Sequence, residues 1–222
     1  YIFTSIPKYR VLAGRLKKVI KQSMKYIVDS LKFSKFNVLG HEMEFKSQKE
    51  YPPIEIKLEN GKAVEITGKI DRIDIAKTAD GNYIRIIDYK SSVKDINLNE
   101  VKAGLQLQLL TYMDAVCEIE DVLPAGVLYF NLIDPTIKAS SHLSQEEIEF
   151  ELRKQFKMKG LILADIDVAQ MMDTNLEKGS SNVIPAYVDK DGNLSQKSSS
   201  VTRKQFEDLQ KYTKNMLSEI SE

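Results

Sequence analysis

The stretch Ile84-Arg85-Ile86-Ile87-Asp88-Tyr89-Lys90-Ser91-Ser92 constrains the fold of this chain most. It reads as a strand that is mostly apolar and then ends in charge. Side chains alternate along a strand, so Ile84, Ile86, Asp88 and Lys90 share one face. A face that begins with two isoleucines is a core face. A carboxylate and an ammonium at its far end cost desolvation unless something compensates. A plain ion pair compensates; so do a metal ion and an anionic substrate.

The preceding strand carries Gly68-Lys69-Ile70-Asp71-Arg72-Ile73-Asp74, and Ala79-Asp80-Gly81-Asn82 between the two is a Gly-containing hairpin signal. Antiparallel pairing brings Asp71 close to Asp88. Two carboxylates a few ångströms apart resist ionising together, and a divalent cation between them removes that conflict. Oxygen ligands select a hard ion, magnesium first and manganese as a substitute. Arg72 and Asp74 face away from Asp71 and read as structural. A buried salt-bridge cluster at the sheet edge is the other reading of Asp71, Asp88 and Lys90.

Next comes Gly104-Leu105-Gln106-Leu107-Gln108-Leu109-Leu110-Thr111-Tyr112. Gly-x-Ile-Asp, then Ile-Asp-Tyr-Lys-Ser-Ser, then a helix with Gln-x-x-x-Tyr, resembles the PD-(D/E)XK nuclease superfamily. Within it the chain is most similar to the RecB-like branch and its AddB-like helicase–nuclease subunits. The likeness runs over most of the chain.

It implies an α/β fold of the restriction-endonuclease type: a mixed sheet flanked by helices, with a C-terminal α+β extension. Residues 1–142 would be the nuclease core and 143–222 a supporting region of the same domain. The implied function is magnesium-dependent exonucleolytic hydrolysis of DNA in double-strand-break repair and recombination. Asp71 and Asp88 would be metal ligands, with the Tyr89 backbone carbonyl as a third. Lys90 would orient or deprotonate the attacking water. Gln108 and Tyr112, with Gln106, would touch the DNA backbone. The implied partners are single-stranded DNA from unwound duplex and an AddA-like helicase–nuclease subunit. A CRISPR-associated RecB-like nuclease and an inactive nuclease fold serving as a DNA-binding scaffold are the rival readings.

The same resemblance implies an iron–sulfur cluster held by one cysteine before and three after the core. The chain has one cysteine, Cys117. Either those cysteines lie beyond the two ends, or the cluster is absent. The chain opens at Tyr1 without Met and stops directly after a helical pattern, so it reads as a fragment of a longer polypeptide. His41 is not in the setting of the branch's upstream metal-binding His, so that role is not transferred to it. Glu42 is either a supporting carboxylate or an exposed acid on an edge strand.

Charge and composition narrow the class. Net charge is zero, with 32 basic and 32 acidic residues, which argues against a free-standing DNA-binding protein. Residues 1–40 are strongly basic, however, which fits a module that borrows nucleic-acid affinity from a larger assembly. No run is long and apolar enough to span a bilayer and no signal peptide is visible. The lone cysteine points to a reducing, cytoplasmic setting. There is no Walker A sequence, so no ATP site of P-loop type.

Along the chain, residues 8–32 predict an amphipathic helix with Leu12, Leu16, Val19, Ile20, Met24, Ile27 and Leu31 on its apolar side. Its basic side is either a solvated face or one wall of a DNA channel. A strand is expected over 37–45, and a hairpin over 54–67 around Asn60-Gly61. A buried helix should run from Asn97 to about Cys117, followed by an apolar strand over 125–133. Beyond that, Leu143-Ser144-x-x-Glu147-Ile148 and Val201-Thr202-x-x-Gln205-Phe206 each predict a capped helix. Residues 160–173 read as a short helix or turn, 183–188 as a strand, and 195–200 as a mobile polar segment.

Overall fold

The apolar runs of the sequence become the strands of one mixed sheet in the computed structural model, which describes residues 6–58, 61–137 and 142–221. Asn60 of the expected turn lies outside them. The strands are β1 (Asn37–Phe45), β4 (Gly68–Thr78), β5 (Gly81–Lys90), β6 (Leu123–Asn131), β7 (Lys159–Leu163) and β10 (Ser200–Val201), in the order β1-β4-β5-β6-β7-β10. β1, β4 and β5 run antiparallel, β5 and β6 parallel, β6 and β7 antiparallel, and β7 and β10 parallel. Two small sheets stand apart, β2 (Ile54–Lys57) with β3 (Ala63–Ile66) and β8 (Gly179–Ser180) with β9 (Tyr187–Val188).

β6 is buried from Pro124 to Asn131, so no polar alternation survives in its sequence. The parallel step from β5 to β6 needs a long crossover. It is built from α2 (Leu98–Lys102) and α3 (Gln108–Glu120). The single helix expected here is thus two. Gly104 (φ +76°) and Gln106 (φ +55°) both take left-handed backbone, which no helix continues through. Leu105, between them, is exposed. α3 itself is buried through Leu109, Leu110, Tyr112, Met113 and Val116.

α1 (Pro7–Lys32) forms where expected, but its packing is carried by its C-terminal half. Ser23, Tyr26 and Ser30 are its buried residues, whereas Leu12, Leu16, Ile20 and Met24 are exposed. Aromatic area decides the contact: Tyr26 stacks on Phe156 with ring centroids 4.6 Å apart. Ion pairs Arg15–Asp134 at 2.6 Å and Lys25–Glu149 at 2.7 Å also hold the helix down.

The C-terminal region completes the sheet. α4 (Gln145–Phe156) opens with the Ser144–Glu147 capping box. Residues 159–163 are a strand, corrected from a helix or turn, and α5 (Ile166–Met172) follows. The apolar stretch 160–163 is too short for a decisive period, and its burial between β6 and β10 made it a strand. The expected strand over 183–188 shrinks to β9. The polar segment 195–200 is not loose: Ser198 Oγ accepts from the Tyr187 N–H at 2.8 Å, and Ser200 enters β10. α6 (Arg203–Ser221) starts on a reciprocal pair, the Gln205 N–H to Thr202 Oγ1 at 3.2 Å and the Thr202 N–H to Gln205 Oε1 at 2.8 Å.

Candidate active site

The β4–β5 register sets Arg72 opposite Ile87 and Ile73 opposite Ile86. One further step along the same register places Asp71 beside Asp88. The two strands join tightly there, because Asp71 Oδ2 accepts from the Tyr89 backbone N–H at 2.9 Å. The Lys90 ammonium lies 2.8 Å from Asp88 Oδ2 and 5.9 Å from the Tyr129 ring centroid. Asp71, Asp88 and Lys90 are therefore gathered at one end of the hairpin.

Asp88 is 7% exposed. Burial pushes its carboxyl pKa up, Lys90 opposes that, and Asp71 adds to it. Asp88 Oδ2 is buried and receives no directed hydrogen bond, so the Lys90 contact is an ion pair without donor alignment. An anionic oxygen left with lone pairs to spare, next to a second carboxylate, fits a hard divalent cation. Among the described residues no group of three or more His, Cys, Asp and Glu side chains is placed to hold a metal. A cation here would therefore need main-chain oxygen and water beside the two carboxylates. An iron–sulfur cluster does not fit the residues present. Burial pushes the Cys117 thiol up to about 12, and Cys117 Sγ lies 3.7 Å from Met113 Sδ.

The opposite face of the hairpin holds Arg72, Asp74 and Arg85, at 3%, 0% and 0% exposure. Arg72 donates to both Asp74 oxygens at 2.6 Å, and Arg85 Nε donates to Asp74 Oδ2 at 2.9 Å. The Tyr89 ring points to this side, where its hydroxyl accepts from Arg72 at 3.4 Å. Arg85 was not anticipated. Its signal was an arginine inside an apolar strand, in register with Asp74. Asn131 was missed as well. Its side chain accepts from the Lys94 N–H at 2.8 Å and donates to the Lys94 carbonyl at 3.1 Å, which pins the loop after Lys90 onto β6.

Gln108 and Tyr112 share a face of α3, and the Gln108 amide donates to the Tyr112 hydroxyl at 3.2 Å. The Tyr112 ring stacks on Phe45 at 5.3 Å. A Cβ on Gly68 would collide with the Tyr112 hydroxyl, so the glycine three positions before Asp71 makes room for it. Gln106 is set apart from this pair. It accepts from the Asn97 N–H at 3.0 Å and donates to Glu100 at 2.5 Å, bracing the turn between α2 and α3. Glu42 is exposed on the edge strand β1, with Lys69 at 2.9 Å.

A family model described as the PD-(D/E)XK nuclease superfamily matches residues 2–222. The chain belongs to that superfamily. Its relatives include a protein from Clostridium novyi, 46% identical over 97% of this chain and 19% of its own length. One from Acetivibrio thermocellus is 43% identical over 97% of this chain and 19% of its own length. A Thermoanaerobacter relative is 40% identical over all of this chain and 20% of its own length. All three are named as the B subunits of ATP-dependent helicase/deoxyribonucleases. The chain spans about a fifth of the length of these relatives. The mixed central sheet flanked by helices is the α/β arrangement of that superfamily. No helix among the described residues is long and apolar enough to cross a membrane.

Proposed function

We propose that this chain is the magnesium-dependent exonuclease domain of an AddB-like helicase–nuclease subunit, hydrolysing DNA during double-strand-break repair and recombination. One observation carries the reading: a buried Asp88 oxygen without a directed hydrogen bond, with Asp71 beside it and the Lys90 ammonium at 2.8 Å. Asp71, Asp88 and the Tyr89 carbonyl would hold the magnesium or manganese ion. When bound, that ion supplies Lewis acidity and a more acidic water.

The chain's own residues do the remaining work. The Tyr89 N–H fixes the Asp71 carboxylate by its 2.9 Å hydrogen bond. Asp88 draws Lys90 into the cleft, where its ammonium can hold the attacking water and stabilise charge growing on a phosphate oxygen. Gln108 would guide the DNA backbone over the start of β4, with the buried Tyr112 acting through its hydroxyl, which accepts from Gln108, while Gln106 would act indirectly through the α2–α3 turn.

The relatives' names support a single strand from unwound duplex as substrate and an AddA-like subunit as partner. They favour this reading over a CRISPR-associated enzyme. The lone cysteine favours a cytoplasmic setting. The test uses the full-length protein with its helicase partner, end-labelled single-stranded DNA, and magnesium or manganese. Asp88→Asn and Lys90→Ala should each abolish cleavage assigned to this domain. Wild-type cleavage by either variant sinks the site assignment and leaves the scaffold reading.

A further inference from the structure

Lys154, Lys157, Lys159 and Lys197 line one surface cleft in which Asp95 is the acid present. That is a strong local excess for a chain of zero net charge. Lys154 is paired with Glu151 at 2.7 Å. The other three make no ion pair among the described residues. Lys157 donates to Ser180 Oγ at 3.0 Å, and the Lys197 ammonium lies 4.8 Å from the Tyr187 ring centroid. Burial pulls the Lys157 pKa down, against the attraction of Asp173. Charge packed this way is under-compensated and is relieved by an anion.

The position of the cleft matters as much as its charge. Asp88 is in register with Tyr129, and Tyr129 with Lys159. Two strand spacings put Lys159 about 10 Å from Asp88 at Cα. The loop after Lys90 runs over β6, is clasped there by Asn131, and delivers Asp95 to the cleft. The acidic site and the basic cleft therefore sit at the same end of the sheet, with β6 between them.

We infer that this lysine cleft binds backbone phosphates of the single strand being cleaved, a few nucleotides from the scissile bond. The inference rests on the nuclease reading above and adds a track for the strand on the β7 side. Phosphate contacts of this kind position the chain without reading sequence.

Lysine footprinting tests it in the full-length protein with its partner. A single-stranded oligonucleotide is added in chelator, so that nothing is cut. The lysines are then acetylated and read by mass spectrometry. Lys159 and Lys197 should be shielded several-fold by DNA, while Lys204 and Lys211 on α6 label as before. If Lys90 is shielded and the cleft lysines are not, the inference falls and the nuclease site stands. If the cleft lysines are already shielded without DNA, a protein surface covers them and the inference falls. If the cleft is shielded but Asp88→Asn still cuts, the track stands and the site assignment fails.

A second measurement covers the case of ambiguous labelling. Lys159→Gln with Lys197→Gln should raise the KM for single-stranded DNA roughly tenfold and flatten the salt dependence of binding by about 1.4 in log–log slope. An unchanged KM and slope would overturn the inference.

Discussion

The two faces of the β4–β5 hairpin carry similar charges into different surroundings. On one face Asp74 takes three guanidinium hydrogen bonds and is sealed from water. On the other, Asp88 is nearly as buried, yet one of its oxygens has no directed donor. The first carboxylate is satisfied by the protein; the second is kept available. Tyr89 belongs to both faces, since its backbone N–H serves Asp71 and its hydroxyl serves Arg72. Burial alone therefore does not tell a structural ion cluster from a reactive one. The partners around each carboxylate do: two buried guanidinium groups at Asp74, one partly exposed ammonium and a second carboxylate at Asp88.

The largest effects come from breaking the two clusters separately. Asp74→Ala strands two buried guanidinium groups. It should cost about 3–5 kcal/mol of stability in chemical denaturation, since uncompensated buried charge is expensive. Asp88→Ala should lower cleavage on the order of a thousandfold, with a denaturation midpoint no lower than wild type. If Asp74→Ala folds as well as wild type, or Asp88→Ala unfolds the domain, the contrast between the faces is wrong.

A pH titration sharpens the contrast with a smaller effect. Burial raises the Asp88 pKa above its unfolded value, so between those two values the native state binds more protons than the unfolded state. Stability tied to this group therefore falls as pH rises from the ordinary carboxylate range to the folded pKa, and stays lost above it. In chelator, Asp88→Asn removes that dependence. The variant should match wild type at acid pH and exceed it at neutral pH, by thermal unfolding. A gain that shrinks as pH rises would mean that Lys90 outweighs burial.

Much of this was legible in the residues. Alternation along 68–74 and 84–90 was enough to set Asp71, Asp88 and Lys90 together and to send Arg72 and Asp74 to the other side. Both cap-and-staple patterns became helix starts because they are local, needing only residues three to five apart. What was not legible depended on distant partners. The apolar stripe Leu12, Leu16, Ile20 and Met24 promised a packed face, but the helix packs from Ser23 onward, through Tyr26 on Phe156, and leaves those four exposed. The run over 159–163 was too short for a period and became a strand through its neighbours. The break between α2 and α3 hinged on a left-handed glutamine, which composition does not announce.

The smallest effect concerns a group that straddles sealed and open surroundings. Tyr112 is 5% exposed and stacked on Phe45, while Gln108, bonded to its hydroxyl, is exposed. The hydroxyl fits because Gly68 has no side chain. Gly68→Ala should therefore push the ring aside and cost about 1–3 kcal/mol, the usual penalty of overpacking. Tyr112→Phe removes the nearest clashing atom, so the double variant should recover about 0.5–1 kcal/mol relative to additivity. Strict additivity by denaturation would mean that the glycine serves the strand backbone alone. Coupling of the expected sign would mean that the start of β4 is shaped by α3, so that the Gln108–Tyr112 pair on the helix and Asp71 on the strand are held in one fixed relation.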